Sequence, residues 1–208
     1  MTTPEPQFRA HWDRVYSQRA IDKVSWFEAT PARSLEWIAA TGVAPEAALI
    51  DVGGGASTLV DELLARGHTD ISLLDVSGEV LELVGKRLAE RCRFVELIAQ
   101  DVTTFHPSRT YALWHDRAVF HFMTDEPGRR GYLEALLAGT HPGSHLLLST
   151  FGPEGPTRCS GLPTARYDAD ALATALGRSF RLMRSELEIH TTPGGAAQQF
   201  LHTHFTRE

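Results

Sequence analysis

The clearest signal along the chain is a short apolar run closed by a tight turn, repeated with an amphipathic stretch between copies. Ala48-Leu49-Ile50-Asp51-Val52 is such a run, and it ends in Gly53-Gly54-Gly55. A continuous apolar run bounded by glycine suits a strand buried on both faces of a parallel sheet. Ser57 or Thr58 can cap the helix that follows, with Leu59, Leu63 and Leu64 on one face and Gly67 closing it. The unit then recurs. Strands are expected over 71–76, 94–98, 112–116 and 144–150, the last after a turn at Pro142-Gly143. Helices are expected over 79–91, where Leu81, Val84 and Leu88 keep helical spacing, and over 132–138 and 168–176. Such alternation predicts an α/β fold, a parallel sheet with helices on both faces.

The two ends depart from this rhythm. Residues 1–7 read as a tail with two prolines and no pattern. From Phe8 to about Thr41 the chain reads as helical pieces, with Pro31 opening a helix that runs to Gly42. At the other end, 181–190 and 198–206 read as strands joined by Thr191-Thr192-Pro193-Gly194-Gly195. A Pro-Gly-Gly linker between strands is a hairpin signal, so the last strand is expected to run antiparallel. The expected organisation is one domain over 1–208, with a helical leader or lid (1–41) and a seven-stranded sheet unit (42–208).

Composition narrows the partners. The chain has 208 residues, 42% hydrophobic, and carries 26 acidic against 20 basic side chains, net −6. A general binder of nucleic acid or anionic membrane would show the opposite sign, so neither partner is expected. Two cysteines without a Cys-x-x-Cys pair argue against a disulfide scaffold or a thiolate zinc site. No His/Glu/Asp cluster has clear ligand spacing, so no metal is expected. With no apolar run of spanning length and no signal-peptide pattern, a cytoplasmic location is the default.

The candidate chemistry gathers at the carboxyl ends of successive strands, where open α/β sheets hold ligands. Gly53 and Gly55 let a ligand approach the backbone, but Thr58 stands where a dinucleotide fingerprint wants its third glycine. Asp51 could face a positive group. Asp75, with Val76 beside it, can accept from both hydroxyls of a ribose. Asp101, with Val102, can accept from an exocyclic amino group.

Asp51-Val52-Gly53-Gly54-Gly55-Ala56-Ser57, then Asp75, then Asp101, then the terminal hairpin, together resemble the class I S-adenosylmethionine-dependent methyltransferases. The resemblance covers nearly the whole chain and implies a Rossmann-like seven-stranded sheet with an antiparallel last strand. It also implies S-adenosyl-L-methionine as cofactor. Gly53, Gly55 and Ser57 would line its methionine end, Asp75 its ribose, and Asp101 and Val102 its adenine. Gly54 stands where the family varies, and Asp51 and His115 complete the expected cofactor set. His11-Trp12-Asp13-Arg14-Val15-Tyr16 with Val24-Ser25-Trp26-Phe27 is similar to the leader of tellurite-resistance, thiopurine and some lysine methyltransferases. Trp12, Tyr16 and Trp26 would then cover the cofactor, though tryptophans in amphipathic helices also serve simply as core.

The acceptor side is carried by Trp114-His115-Asp116-Arg117-Ala118-Val119-Phe120-His121-Phe122. It lacks the Asn/Asp-Pro-Pro-Tyr/Phe motif of enzymes that methylate adenine or amide nitrogens. Its Asp116-Arg117 pair resembles that of thiopurine methyltransferases and their small-molecule relatives. Arg117 could steady a thiolate or other anion, or simply pair with Asp116 or a neighbour. His121 could act as a base or pack beside the pocket. The loop 151–163 is long for a connection and offers Arg158, Cys159 and Tyr167 as pocket lining. His202 and His204 share a strand face and could meet His190 across the hairpin. The expected function is methylation of a small molecule, at a thiol or other soft nucleophile. Alternatives are a protein lysine methyltransferase, a non-catalytic S-adenosylmethionine-binding protein and an NAD-dependent oxidoreductase.

Overall fold

Alternation of side chains along each strand explains how one sheet buries both of its faces. In β1 (Leu49–Val52) all four residues are buried. Leu49 joins one apolar layer and Ile50 and Val52 the other. The computed structural model describes residues 5–18 and 21–208, so Met1 to Pro4 of the expected tail lie outside the described residues. β2 (Ile71–Asp75) and β4 (Tyr111–Arg117) flank β1 in parallel, with Asp51 level with His115 and Val52 with Asp116. β3 (Val95–Ala99) pairs with β2, and β5 (Thr140–Phe151) with β4. Beyond a small hairpin, β6 (Arg158–Cys159) and β7 (Leu162–Pro163), come β8 (Phe180–Thr191) and β9 (Ala197–Arg207).

The main sheet has seven strands in the order β3-β2-β1-β4-β5-β9-β8. β9 runs antiparallel to both of its neighbours, so the sheet is otherwise parallel. Helices α2 (Ala32–Thr41), α3 (Leu59–Ala65) and α4 (Gly78–Leu88) pack on one face. Helices α5 (Glu126–Ala138) and α6 (Ala169–Leu176) pack on the other. α1 (Glu5–Gln18) lies near the strand ends, where its Asp13 accepts from Ser77 Oγ at 2.6 Å. Among the described residues no helix is long and apolar enough to cross a membrane.

Several boundaries differ from the pattern, each for a local reason. α1 starts at Glu5, so Glu5, Pro6 and Gln7 are helical rather than tail. α5 starts six residues before the apolar spacing shows it. Asp125 caps it by accepting from Gly128 N–H at 3.0 Å, and Pro127 sits in the first turn, where a missing N–H costs nothing. Gly131 in its middle lets the helix lie against the Thr103 backbone, where a Cβ would collide with the Thr103 carbonyl. α4 stops at Leu88, and 89–94 continue as a 3-10 turn. Pro142-Gly143 falls inside β5 as an irregularity, because the register with β4 shifts between Tyr111 and Leu113. His190 stands opposite Gln198, away from His202 and His204; His204 Nε2 instead meets His145 Nδ1 at 2.9 Å.

Candidate cofactor and acceptor site

The glycine turn after β1 is shaped by contacts that exclude side chains. Gly53 and Gly55 have φ of +65° and +51°, in the left-handed region. A Cβ on Gly53 would overlap the Val119 side chain, and one on Gly55 would overlap the Tyr16 hydroxyl. Gly54 is just as constrained: its Cβ would run into the Asp51 carboxylate and Leu73. The turn is fixed from outside by Arg87 of α4, whose guanidinium donates to Ala56 O (2.9 Å) and Ser57 O (2.6 Å). Ser57 Oγ accepts from Leu59 N–H and so opens α3.

Two cavities meet around this turn. One, of about 620 Å³, is lined by Asp51, Gly53, Gly54, Ser57, His115 and Arg117 with Ser34, Trp26, Tyr16 and Glu28. The other, of about 570 Å³, is lined by Gly53, Asp75, Val76, Asp101, Val102 and Arg117 with Trp12, Tyr16, Trp26 and Phe122. Tyr16, Trp26, Gly53 and Arg117 border both, so they stand where the two halves join. The leader aromatics form one wall. Trp12 packs edge-on against Phe8 (6.0 Å), Trp26 (5.5 Å) and Phe122 (5.5 Å). Trp12 therefore lies on the Asp75 side, not the Asp51 side.

The acids at the strand ends differ in what they already hold. Asp51 Oδ1 meets His115 Nδ1 at 2.7 Å, while its buried Oδ2 has no hydrogen-bond partner among the described residues. Asp75 accepts from Ser77 N–H at 2.9 Å. Burial raises the Asp75 carboxyl to about 7, against the N–H groups of Ser77 and Gly55 and with added push from Asp51 and Asp13. Asp101 uses Oδ1 for Thr103 N–H (2.8 Å) and Thr103 Oγ1 (2.7 Å). Tyr16 stays a neutral donor, since burial and then Asp75 and Cys159 push its hydroxyl well above the usual tyrosine range.

The geometry removes Asp116 and His121 from the acceptor side and leaves Arg117 on it. Asp116 is wholly buried and lines neither cavity; it accepts from Val119 N–H (2.9 Å), Phe120 N–H (3.1 Å) and Tyr132 Oη (2.7 Å). Alternation sends Asp116 and Arg117 to opposite faces of β4, so the two cannot act as a pair. Arg117 does reach the cavities, but its partners are Trp26 O (3.0 Å) and Glu28 Oε1 (2.8 Å), with Phe200 beneath it. His121 lies in the core. Its Nδ1 accepts from Phe151 N–H at 3.3 Å, its ring stacks on Phe151, and burial lowers its pKa to about 3. Cys159 and Tyr167 are likewise buried in the core, and Arg158 donates to the nearby Gly161 carbonyl, so none of the three lines the cavities. Residues missed by the sequence reading are Ser34 and Glu28. Neither stands at a strand end, and their only signal is nearness to the leader aromatics.

No protein-family model matches the chain. Malonyl-(acyl-carrier protein) O-methyltransferase 1 of Ilyobacter polytropus is 28% identical over 105 residues, covering 50% of this chain and 38% of that protein. The chain thus spans well under half of the curated relative it matches. A solved S-adenosylmethionine-dependent methyltransferase of Anabaena variabilis superposes with a TM-score of 0.75 at 15% identity, over 99% of this chain and 96% of its own. The 1,6-didemethyltoxoflavin-N1-methyltransferase of Burkholderia thailandensis, solved with 1,6-didemethyltoxoflavin and S-adenosylhomocysteine, gives 0.69 at 17%, over 99% and 91%. A glycopeptide N-methyltransferase complexed with sinefungin gives 0.67 at 17%, over 91% and 99%. With its sheet order β3-β2-β1-β4-β5-β9-β8, its antiparallel β9 and these superpositions, the chain has the Rossmann-like fold of class I S-adenosylmethionine-dependent methyltransferases.

Proposed function

We propose that this chain is an S-adenosylmethionine-dependent methyltransferase acting on a small molecule. One observation carries the reading: a cleft bends around Gly53, with the unpartnered Asp51 oxygen in one arm and Asp75 with Asp101 in the other. The residues fit the cofactor. Asp51 Oδ2 is a buried acceptor suited to the methionine ammonium, and Gly53 and Gly54 bring bare backbone to the cavity wall, while Gly55 is buried under the Tyr16 hydroxyl and lines neither cavity. Asp75 suits the ribose, and Asp101, Val76 and Val102 suit the adenine. S-adenosylmethionine, when bound, supplies an electrophilic methyl group on a sulfonium. The protein's share is alignment and exclusion of water. Trp12, Tyr16 and Trp26 wall the cleft, and the leader containing them acts as its lid.

Arg117 stands at the bend, where an acceptor would approach. The soft-nucleophile reading rests on its charge, and Glu28 already neutralises that charge. A neutral amine, hydroxyl or thiol therefore fits better than a preformed thiolate. The named neighbours act on small molecules or natural products, which agrees with this acceptor class. The test is calorimetry with S-adenosylmethionine, S-adenosylhomocysteine and NAD, then a screen of thiols, amines and a cell lysate read out as S-adenosylhomocysteine formed. Absence of binding by the first two ligands sinks the proposal. Methylated protein bands in the lysate would replace the small-molecule reading with the lysine-directed one. Undiminished turnover of a thiol by Arg117→Ala would remove Arg117 from acceptor handling.

A further inference from the structure

The Asp51 arm of the cleft contains a buried chain of three side chains drawn from three elements. His115 of β4 places Nδ1 2.7 Å from Asp51 Oδ1 and Nε2 2.9 Å from Ser34 Oγ of α2. All three are under 8% exposed, and all three border the same cavity. A carboxylate can only accept, so Nδ1 carries the imidazole proton. In the singly protonated ring Nε2 is left to accept, and the Ser34 O–H donates to it. With its proton turned inward, Ser34 Oγ offers only lone pairs to the cavity. Asp51 Oδ2, buried and without a hydrogen-bond partner among the described residues, lies against Gly54, where the missing Cβ leaves room beside it.

We infer that Ser34 and His115 are positioning residues that complete an acceptor-only subsite, built to take a primary ammonium between Asp51 Oδ2 and Ser34 Oγ. This rests on the cofactor reading above and adds to it a residue of the leader-side helix and the histidine that orients both acceptors. Two acceptors facing one cavity, with no donor between them, complement a group that has hydrogens and no lone pair. α2 is held in place next to Ser34, since Arg33 pairs with Glu186 (3.1 Å) and Glu188 (3.0 Å) of β8. Ligand binding would thereby tie α2 to the sheet edge at β1 and β4.

The test compares two ligands that share the adenosine end. S-adenosylhomocysteine carries the ammonium, and methylthioadenosine lacks the whole amino-acid portion. Calorimetry on Ser34→Ala and His115→Asn should show affinity for S-adenosylhomocysteine falling about tenfold or more, as for a lost hydrogen bond to a charged group. Affinity for methylthioadenosine should stay within twofold of wild type, which also reports that the variants are folded. Ser34→Thr, which keeps the hydroxyl, should restore most of the loss. Equal weakening of both ligands would make the pair merely structural and overturn the inference, as would no weakening of either. Wild-type protein that binds neither ligand overturns the cofactor reading first, and this one with it.

Discussion

Protonation of Asp75 should decide how tightly the adenosine end is held. Burial, reinforced by Asp51 and Asp13, raises this carboxyl to about 7 despite the N–H groups of Ser77 and Gly55. Ribose hydroxyls arrive as donors, and a proton on the carboxyl converts one acceptor into a competing donor. If only the ionised form binds, affinity falls tenfold for each pH unit below the pKa. Between pH 8 and pH 5 that is a loss of about a hundredfold, or about 2.7 kcal/mol. The free chain shows the opposite trend at this residue. Its folded pKa lies above the ordinary aspartate value of 3.8, so the proton favours folding. That contribution is complete below pH 3.8 and lost as pH rises through about 7, worth at most about 4 kcal/mol. Calorimetry with S-adenosylhomocysteine from pH 5.5 to 8.5 reads the binding trend. Asp75→Asn should bind weakly and without this pH dependence. Denaturation of wild type and Asp75→Asn across the same range reads the stability trend as a difference, in which the buried histidines cancel. Wild-type affinity constant within twofold over the window, or a variant that keeps the wild-type slope, refutes the reasoning.

Asp116→Ala removes the acceptor for three buried donors and should cost about 3–5 kcal/mol in denaturant unfolding, at roughly 1–1.5 kcal/mol each; a loss below 1 kcal/mol would mean the loop 118–122 is held by something else. His121→Leu should leave the pH profile of turnover between 6 and 8 unchanged, because the ring is neutral and away from the cavities. The same variant should resist acid better. A pKa of about 3, below the ordinary 6.5, means the wild-type ring costs stability as pH falls below 6.5, which acid titration of the fold will read. Gly54→Ala should destabilise by about 1–3 kcal/mol through overpacking against Asp51 and Leu73. It should also weaken S-adenosylhomocysteine more than methylthioadenosine, and unchanged stability would show that the turn has room.

The sheet was legible because apolar runs and glycine turns are local, and strands buried on both faces carry little else. The antiparallel β9 was legible for the same reason, through Thr191-Thr192-Pro193-Gly194-Gly195. What escaped was packing between distant segments. The first turns of α5 hid behind Pro127, Gly128 and Gly131, residues that break a propensity reading but here cap the helix or let it approach Thr103. Ser34 and Glu28 reach the cleft only through the path of the leader. The misreading of Asp116-Arg117 was avoidable. In a strand the side chains alternate, so a dipeptide in β4 cannot aim both residues at one ligand. Leu113, His115 and Arg117 share one face and Trp114 and Asp116 the other, and it is the first face whose His115 and Arg117 border the cavities.

Four aspartates end or follow successive strands, and composition cannot tell them apart. Their hydrogen-bond accounts can. Asp116 has three donors on it and is wholly buried in the core, where no ligand in either cavity reaches it. Asp101 spends one oxygen on Thr103 and still borders the cleft. Asp75 is held by Ser77 at a cavity wall; burial raises its carboxyl to about 7, as it does that of Asp116, so what sets Asp75 apart is its place on the cleft. Asp51 is the extreme case, with one oxygen fixed by His115 and the other buried and bare. A buried acceptor left unpaired costs about 1–3 kcal/mol in the free protein. A fold that keeps this cost beside three glycines, while giving both oxygens of Asp116 a donor, holds binding energy in reserve at the Asp51 arm. That arm should therefore be where ligand binding raises stability most. Asp51→Asn, which turns an acceptor into a donor there, should forfeit more of the ligand-induced rise in Tm than Asp101→Asn does. Equal forfeits from the two variants would mean that the unpaired oxygen is not where the ligand binds.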